Sequence, residues 1–319
     1  MDHADRRRAG IMTPTHFLSI SDLRRVELEA CLRLAGEMKA ARAAGTRHVR
    51  PLEDRHVALL FEKPSLRTRS TFQVAVHELG GHVIELPPEV ALGGREPIAD
   101  VARNLERWVF AAIVRTFAHA RLEEFAAAAP RLRLVNALTD AEHPCQALAD
   151  CLTMQERWGT LRGRTVAFVG DGNNVARSLA QAVTMLGATL RIASPEGYEL
   201  QNEHRAPIAA EADAAGGRLE LMRDPVAAAA GADAVYTDVW TSMGQEAEDA
   251  ERRVIFAPYQ VNSNLMAAAG DGALFMHCLP AHRGDEVTDE VIDSEASVVY
   301  DQSENRLHTQ KALLALLAQ

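Results

Sequence analysis

Two hydroxyl residues and two arginines lie within five positions in the segment Ser65-Leu66-Arg67-Thr68-Arg69. An apolar run at 57–61 precedes the segment and predicts a buried strand, and apolar residues at helical spacing follow from 71 to 79. The segment therefore leads from a strand into a helix, where free backbone N–H groups and the helix dipole favour an anion. Phosphate suits such a turn, but the same residues are equally typical of a capped, solvated helix start.

Two further polar groups follow strands of the same half of the chain. Arg115 comes after the apolar run 111–114, and the motif His143-Pro144-Cys145-Gln146 follows the run 134–137. Pro144 suits the first turn of a helix. The carboxyl ends of parallel strands form one edge of a sheet, so Arg115, His143 and Gln146 are expected beside the Ser65 turn. The alternatives are an arginine that leaves the sheet for solvent and a histidine that caps a helix.

The second half of the chain begins with a strand at 165–169 and the turn Gly170-Asp171-Gly172-Asn173-Asn174. The turn resembles a dinucleotide-binding loop, but Val175 replaces the third glycine, and the acidic residue expected after the next strand is absent. NAD binding is therefore a minor alternative. Asp238 follows the strand 234–237, and with Asn174 it is suited to hold an amino group, unless Asp238 only caps a helix.

His277 and Cys278 end another strand, five residues before His282. This spacing matches no common zinc signature, and Pro280 makes the segment irregular, so no metal is predicted. The last apolar pattern predicts a helix from 304 to 317, with Arg306 in its first turn and near the cleft.

Alternating strands and helices occur twice along the 319 residues, which suits two domains. The sequence predicts an α/β protein of two doubly wound parallel-sheet domains, with the active site in the cleft between them. The first domain is expected at 1–155, with the helix at 304–319 packing back on it, and the second at 160–300. A helix with Ile98, Val101, Ala102, Leu105 and Trp108 on its inward face is expected in the first domain.

Composition excludes several classes of protein. The net charge of -10 argues against a nucleic-acid or acidic-membrane partner. Four scattered cysteines fit a reducing cytoplasm. No signal peptide is evident, and no apolar run reaches the roughly 18 residues of a membrane span. Residues before about 16 are expected to form a tail, and Met12 is an alternative start.

Taken in order, the motifs at 65–69, 143–146, 238–244 and 277–280 resemble those of the aspartate/ornithine carbamoyltransferase family, and within it the ornithine carbamoyltransferases. The resemblance extends from about His16 to the last helix. It implies transfer of a carbamoyl group from carbamoyl phosphate to the δ-amine of L-ornithine, giving citrulline in arginine metabolism. It also implies a homotrimer or a multiple of trimers, and no cofactor.

The resemblance also implies residue roles. Catalytic roles fall to Arg115, His143 and Cys278. The groups implied to bind carbamoyl phosphate are Ser65, the N–H of Leu66, Arg67, Thr68, Arg115, His143, Gln146, Cys278, Leu279 and Arg306. Those implied to bind ornithine are Asn174, Asp238, Ser242 and Met243. Two positions depart from the family pattern: Leu66 stands where threonine is usual, and Ala91 stands where a loop often carries glutamine.

Three other functions stay open. A carbamoyltransferase for an acylated ornithine or putrescine would differ mainly in the second domain. A nucleotide-dependent dehydrogenase and a non-catalytic homologue are the alternatives from other classes. The sequence does not distinguish arginine synthesis from breakdown.

Overall fold

A computed structural model describes residues 15–46, 49–92, 94–241 and 246–319. The chain divides into two compact units. The first takes in Met1–Leu152 and Asn305–Gln319, and the second takes in Thr153–Glu304.

The first unit contains a four-stranded parallel sheet with the strand order β2-β1-β3-β4. Its strands are β1 (His56–Phe61), β2 (His82–Leu86), β3 (Ala111–Arg115) and β4 (Arg133–Leu138). Its helices, in chain order, are α1 (Arg25–Ala43), α2 (Leu66–Glu78), α3 (Pro88–Ala91), α4 (Ile98–Trp108), α5 (His119–Ala128) and α6 (Pro144–Trp158), of which α6 begins in this unit and ends beyond it.

The second unit contains a five-stranded parallel sheet with the order β7-β6-β5-β8-β9. The strands are β5 (Thr165–Val169), β6 (Thr189–Ala193), β7 (Arg218–Met222), β8 (Ala234–Thr237) and β9 (Leu274–His277). The helices are α7 (Asn174–Met185), α8 (Asn202–Ala215), α9 (Pro225–Ala229), α10 (Asp249–Phe256), α11 (Ser263–Ala268) and α12 (Asp289–Ile292). The final helix, α13 (Val299–Leu317), starts in this unit and belongs to the first from Asn305 onward.

Both sheets confirm the predicted doubly wound α/β class. In each, the strand order reverses direction once, between β1 and β3 in the first unit and between β5 and β8 in the second. Ligands of open α/β sheets bind outside the carboxyl ends of the strands at such a reversal. The Ser65 turn follows β1 and Arg115 is the last residue of β3, whereas the Gly170 turn follows β5 and Asp238 follows β8. Strand order therefore assigns one polar cluster to each sheet.

Each unit buries its own apolar cluster against its sheet. In the first unit, Phe125 of α5 and Leu105 of α4 pack with Leu134 of β4, and all three are at least 97% buried. Full burial of such side chains stabilises the fold by about 1.5–3 kcal/mol each. In the second unit, Phe256 of α10 and Phe275 of β9 belong to the buried apolar cluster, and both are fully buried.

Three details differ from the predicted elements. Trp108 is 67% exposed, although the other four residues predicted for the inward face of α4 are buried, because Trp108 is the last residue of the helix. Helix α2 begins at Leu66 rather than near residue 71, so most of the Ser65 segment is itself helical. Helix α13 begins at Val299, five residues before the predicted start.

The part of α13 after Asn305 and the residue that follows the helix make several polar contacts within the first unit. The ammonium of Lys311 is fully buried and pairs with Glu78 at the end of α2. Arg55 and Arg133 donate to the carbonyls of Ala318 and Leu317, and both guanidiniums lie against the ring of Phe110. These contacts fix the helix that carries Arg306. None of the described helices is both long enough and apolar enough to cross a membrane.

Candidate active site

The Ser65 turn leaves the N–H groups of the first turn of α2 without a side-chain cap. Ser65 occupies the N-cap position with extended backbone, but its side chain accepts no hydrogen bond from the helix. Instead, the Ser65 hydroxyl accepts a hydrogen bond from Nη1 of Arg115 at 3.2 Å. This geometry disfavours the capped-helix alternative. Leu66 is 77% exposed, and its backbone N–H belongs to this uncapped first turn, where it can meet a ligand.

Arg306 lies at the centre of a buried polar network. Its Nη2 donates to Thr68 Oγ1 at 2.7 Å, and its Nη1 donates to Gln146 Oε1 at 2.6 Å. Gln146 in turn donates from Nε2 to Oδ1 of Asp150 at 2.8 Å. All four residues are at least 98% buried. Helices α2, α6 and α13 thus contribute to one network.

His143 directly precedes α6 and is 95% buried. Burial lowers the pKa of His143 well below 6.5, and the positive charges of Arg306 and Arg115 lower it further. The imidazole is therefore neutral at pH 7. A neutral imidazole can donate a hydrogen bond to a polarised carbonyl without adding a cation to the arginines around it.

Glu62 holds the end of β1 against the end of β3. Its carboxylate accepts hydrogen bonds from the hydroxyl of Thr116, the N–H of Phe117 and the guanidinium of Arg121. Its backbone N–H donates to the carbonyl of Arg115 at 2.9 Å. These hydrogen bonds of Glu62 fix the distance between Arg115 and the Ser65 turn.

The polar cluster of the second unit centres on Asp238, which is 94% buried. The amide of Asn173 donates to Asp238 Oδ2 at 2.8 Å, and the thiol of Cys278 donates to Asp238 Oδ1 at 2.9 Å. Asn173 also caps α7, because its Oδ1 accepts from the N–H groups of Val175 and Ala176. Strands β8 and β9 and the start of α7 therefore meet at this carboxylate.

His277 supports the irregular segment that carries Cys278 and Leu279. Its Nδ1 accepts from the N–H of Leu279 at 2.8 Å, so its Nε2 carries the proton and donates to Glu286 at 3.2 Å. Leu279 adopts a φ of 57°, which residues with a side chain rarely do. The histidine therefore helps to hold a backbone conformation that presents Cys278 and Leu279 together.

Asp238, His277 and Cys278 place potential metal-ligand atoms within 4.8 Å of one another. This grouping does not include His282, and it lies in a segment for which the sequence predicts no metal. Both ring nitrogens of His277 are already hydrogen-bonded within the protein, so a metal would have to displace one of those bonds.

The glycine-rich turn after β5 is shaped by chain packing. A Cβ atom at Gly172 would lie 2.1 Å from the backbone nitrogen of Leu200, so the close approach of that segment requires glycine. Asp171 pairs with the buried Arg252, whose guanidinium also donates to the carbonyl of Trp240. Arg252 thereby links the turn that bears Asn173 to the segment that bears Asp238. This explanation of the glycines does not require a bound nucleotide.

The structure brings together many, but not all, of the residues expected at the site. Arg115 donates a hydrogen bond to Ser65, and Arg306 donates to both Thr68 and Gln146. The charges of Arg115 and Arg306 act on His143. Arg67 is half-buried in the first turn of α2. The Asn174 side chain accepts from the N–H of Val175. Ser242 and Met243, which were expected to bind ornithine, lie outside the described residues. Ala91, which departs from the family pattern, is the last residue of α3. Gly93, two residues later, also lies outside the described residues.

Sequence reasoning missed Glu62, Asp150, Asn173, Asp171 and Arg252. An N-cap pattern at the start of α7 was a usable signal for Asn173. Asp150 stands four residues after Gln146 on a predicted helix, which places both on one face. Nothing local indicated that Arg252 links Asp171 to Trp240, because these two partners lie 81 and 12 residues away along the chain.

Comparisons with known proteins agree across nearly the whole chain. Residues 15–156 match the family described as "Aspartate/ornithine carbamoyltransferase, carbamoyl-P binding domain", and residues 162–317 match its "Asp/Orn binding domain". The chain is 50% identical over 304 residues to an ornithine carbamoyltransferase of Thermosynechococcus vestitus, covering 94% of each chain. It is 48% identical over 307 residues to an anabolic ornithine carbamoyltransferase of Pseudomonas aeruginosa, covering 96% of this chain and 98% of the relative.

Among solved structures, an ornithine carbamoyltransferase of Pyrococcus furiosus superposes with a TM-score of 0.92 at 48% identity, covering 96% of this chain and 98% of that one. A second, from Gloeobacter violaceus, has a TM-score of 0.87 at 42% identity, covering 97% and 100%.

Proposed function

The chain belongs to the aspartate/ornithine carbamoyltransferase family, and from this membership we propose that it transfers the carbamoyl group of carbamoyl phosphate to the δ-amine of L-ornithine, yielding L-citrulline and phosphate. The observation that carries the proposal is the identity of about 50% to proteins named ornithine carbamoyltransferase, over 94–96% of the chain.

Carbamoyl phosphate is assigned to the first unit. The uncapped N–H groups at the start of α2, the hydroxyls of Ser65 and Thr68 and the guanidinium of Arg67 are suited to the phosphate. Arg306 reaches the same turn through Thr68, whose hydroxyl accepts from Arg306 and keeps its own hydrogen to donate. Arg115 bonds Ser65 and is assigned to bridge the phosphate and the carbamoyl oxygen. His143 and Gln146 are assigned to the carbamoyl group.

Ornithine is assigned to the second unit. Asp238 provides a buried carboxylate whose position is fixed by Asn173 and Cys278, and such a group suits the α-ammonium of an amino acid. Asn174, Ser242 and Met243 complete the proposed ornithine site. Cys278 and Leu279 are assigned to the point where the two substrates react.

The reaction requires no covalent intermediate with the enzyme. The neutral δ-amine attacks the carbonyl carbon, a C–N bond forms, and the carbonyl oxygen becomes an oxyanion. Arg115, neutral His143 and the Thr68 hydroxyl stabilise that oxyanion, and each such donor is typically worth about 3 kcal/mol of barrier. The amine proton then passes to an oxygen of the phosphate group, the C=O bond re-forms and the C–O bond to phosphate breaks. Citrulline and hydrogen phosphate result, and Arg67, Arg115 and Arg306 neutralise the charge of the leaving phosphate. Holding both reactants in contact supplies a large entropic advantage.

A colorimetric assay of citrulline tests the proposal directly. Purified protein with carbamoyl phosphate and ornithine should form citrulline and phosphate in equal amounts. If no citrulline forms, the alternative that the protein is a non-catalytic homologue would be favoured. A panel of N-acylated ornithines, putrescine and aspartate should give lower kcat/KM values than ornithine, and a better acceptor in that panel would reassign the substrate. Fluorescence titration with NADH should show no saturable binding.

We further propose a homotrimer, or a multiple of trimers, working in the cytoplasm. Family membership supports the assembly, and the absence of a disulfide among the four described cysteines supports a reducing compartment. Light scattering coupled to gel filtration measures the assembly. Two relatives carry the word anabolic in their names, which favours arginine synthesis as the direction.

A further inference from the structure

We propose that Asp150 is a positioning residue for carbamoyl phosphate, because it fixes the direction of the Gln146 amide and, through that amide, the guanidinium of Arg306. This inference rests on the proposed function. It extends that function to a residue to which no direct contact with a substrate is assigned. Asp150 is fully buried in α6, one helical turn after Gln146.

The hydrogen bonds form a continuous path through buried side chains. Asp150 Oδ1 accepts from Gln146 Nε2 at 2.8 Å, Gln146 Oε1 accepts from Arg306 Nη1 at 2.6 Å, and Arg306 Nη2 donates to Thr68 Oγ1 at 2.7 Å. Thr68 lies in the first turn of α2, within the proposed phosphate-binding turn. A change at Asp150 is therefore transmitted to the phosphate site through two intervening side chains.

The carboxylate of Asp150 determines which end of the amide faces Arg306. A carboxylate only accepts hydrogen bonds and a guanidinium only donates them. Rotating the Gln146 amide by half a turn would place its oxygen against Asp150 and its NH₂ group against Arg306, which replaces two attractive contacts with two repulsive ones. A neutral asparagine at 150 both donates and accepts, so it would stabilise either orientation of Gln146.

The charge of Asp150 has a second consequence. Arg306 is 98% buried, and the charges of both Arg306 and Arg115 act on His143. A buried cation is costly unless an anion compensates it, and before substrate binds, that anion must come from the protein. Asp150 supplies a negative charge one amide away from Arg306. It keeps Arg306 in place without occupying the guanidinium edge bonded to Thr68.

The test compares Asp150→Asn with wild type by steady-state kinetics. The KM for carbamoyl phosphate should rise at least about tenfold, whereas the KM for ornithine should stay within about twofold. Asp233→Asn is the matched control, because Asp233 accepts from Arg164 and the N–H of Thr165 in the second unit. That variant should keep both KM values even if its melting temperature falls.

A double-mutant cycle separates positioning from general destabilisation. If Asp150 acts mainly through Gln146, the variant with both Asp150→Asn and Gln146→Ala should show a rise in the KM for carbamoyl phosphate that is clearly smaller than the product of the two single effects. Independent, multiplicative effects on this KM would overturn the proposal. If Asp150→Asn does not fold, Asp150→Glu keeps the charge but moves the carboxylate by one methylene. It should also raise the KM for carbamoyl phosphate, and a wild-type KM in either folded variant would contradict the inference.

Binding of inorganic phosphate provides a readout that does not depend on turnover. Phosphate should raise the melting temperature of wild type more than that of Asp150→Asn, and equal shifts would count against the proposal. The two hypotheses fail differently. Wild type that forms no citrulline refutes the proposed function, whereas active wild type with an unaltered Asp150→Asn variant refutes only the role of Asp150.

Discussion

Arg306 donates a hydrogen bond to Thr68 across 238 residues of sequence, at 2.7 Å and shielded from solvent. The bond joins α13 to the first turn of α2, which is the turn proposed to bind phosphate. A shift of α13 would therefore also disturb the proposed phosphate site.

Arg306→Lys should lower kcat/KM for carbamoyl phosphate by about 10²–10³-fold, because an ammonium cannot donate to Thr68 and Gln146 in the geometry of a guanidinium. Steady-state kinetics with saturating ornithine measure the effect. Arg157→Lys is the control, since Arg157 is half-exposed and pairs with Asp301. An Arg306→Lys enzyme within about threefold of wild type would contradict the phosphate-binding role.

Arg67→Ala should abolish measurable turnover without unfolding the protein, because the half-buried Arg67 side chain is the one proposed to supply a positive charge to the phosphate. Citrulline formation and circular dichroism are measured on the same preparation. The exposed Arg103, which pairs with Asp100 on α4, provides the control variant Arg103→Ala. A near-normal rate in a folded Arg67→Ala protein would remove the central claim about the turn.

Asp238→Asn should raise the KM for ornithine at least about tenfold and leave the KM for carbamoyl phosphate within about twofold, since the substitution removes the charge proposed to hold the α-ammonium of ornithine. Initial rates with each substrate varied in turn give both values. Asp293→Asn changes an exposed carboxylate in the same unit and serves as control. Equal losses for the two substrates would argue against an ornithine site at Asp238.

Cys278 should be the first thiol to react with a disulfide reagent. Burial raises the pKa of Cys31 and of Cys145 to about 12 and raises that of Cys151 well above 9, whereas the Cys278 side chain is half-exposed. Thiol titration of native protein should show one fast group, and Cys278→Ala should lose it. The same variant should retain measurable turnover, because no thioester is required. Complete loss of turnover in a folded variant would favour a nucleophilic cysteine.

Asp171 should make the stability of the protein depend on pH between about 4 and 6. Burial raises the pKa of Asp171 from 3.8 to about 6, with Arg252 opposing the shift. The folded state therefore binds more protons than the unfolded state in this range, and the contribution of Asp171 to stability falls as pH rises.

Comparison of urea unfolding at pH 5 and pH 7 measures the effect. The gain in unfolding free energy on going from pH 7 to pH 5 should be about 1 kcal/mol larger in wild type than in Asp171→Asn. Asp249→Asn, on the exposed face of α10, provides the control. Identical pH dependence in wild type and Asp171→Asn would contradict the raised pKa.

The sequence predicted the strands well because buried parallel strands are short apolar runs. The segments 165–169 and 234–237 were predicted to the residue as β5 and β8. Helix starts were less accurate at α2 and α13, since their first turns are polar and carry site residues in place of an apolar stripe. Trp108 was misassigned because helical spacing does not reveal where the packed surface ends.

The sequence by itself determined the residue types of the site and their places at strand ends. It supplied Ser65, Arg115 and His143 around one sheet and Asp238 around the other, because alternating strands and helices fix which segments reach the same edge. Tertiary structure decided the partners. Whether Asn173 or Asn174 meets Asp238, and whether Ser65 caps a helix or accepts from Arg115, depends on side-chain direction. That direction is set by packing between elements far apart along the chain, as Arg306 and Thr68 illustrate, and no local pattern encodes it.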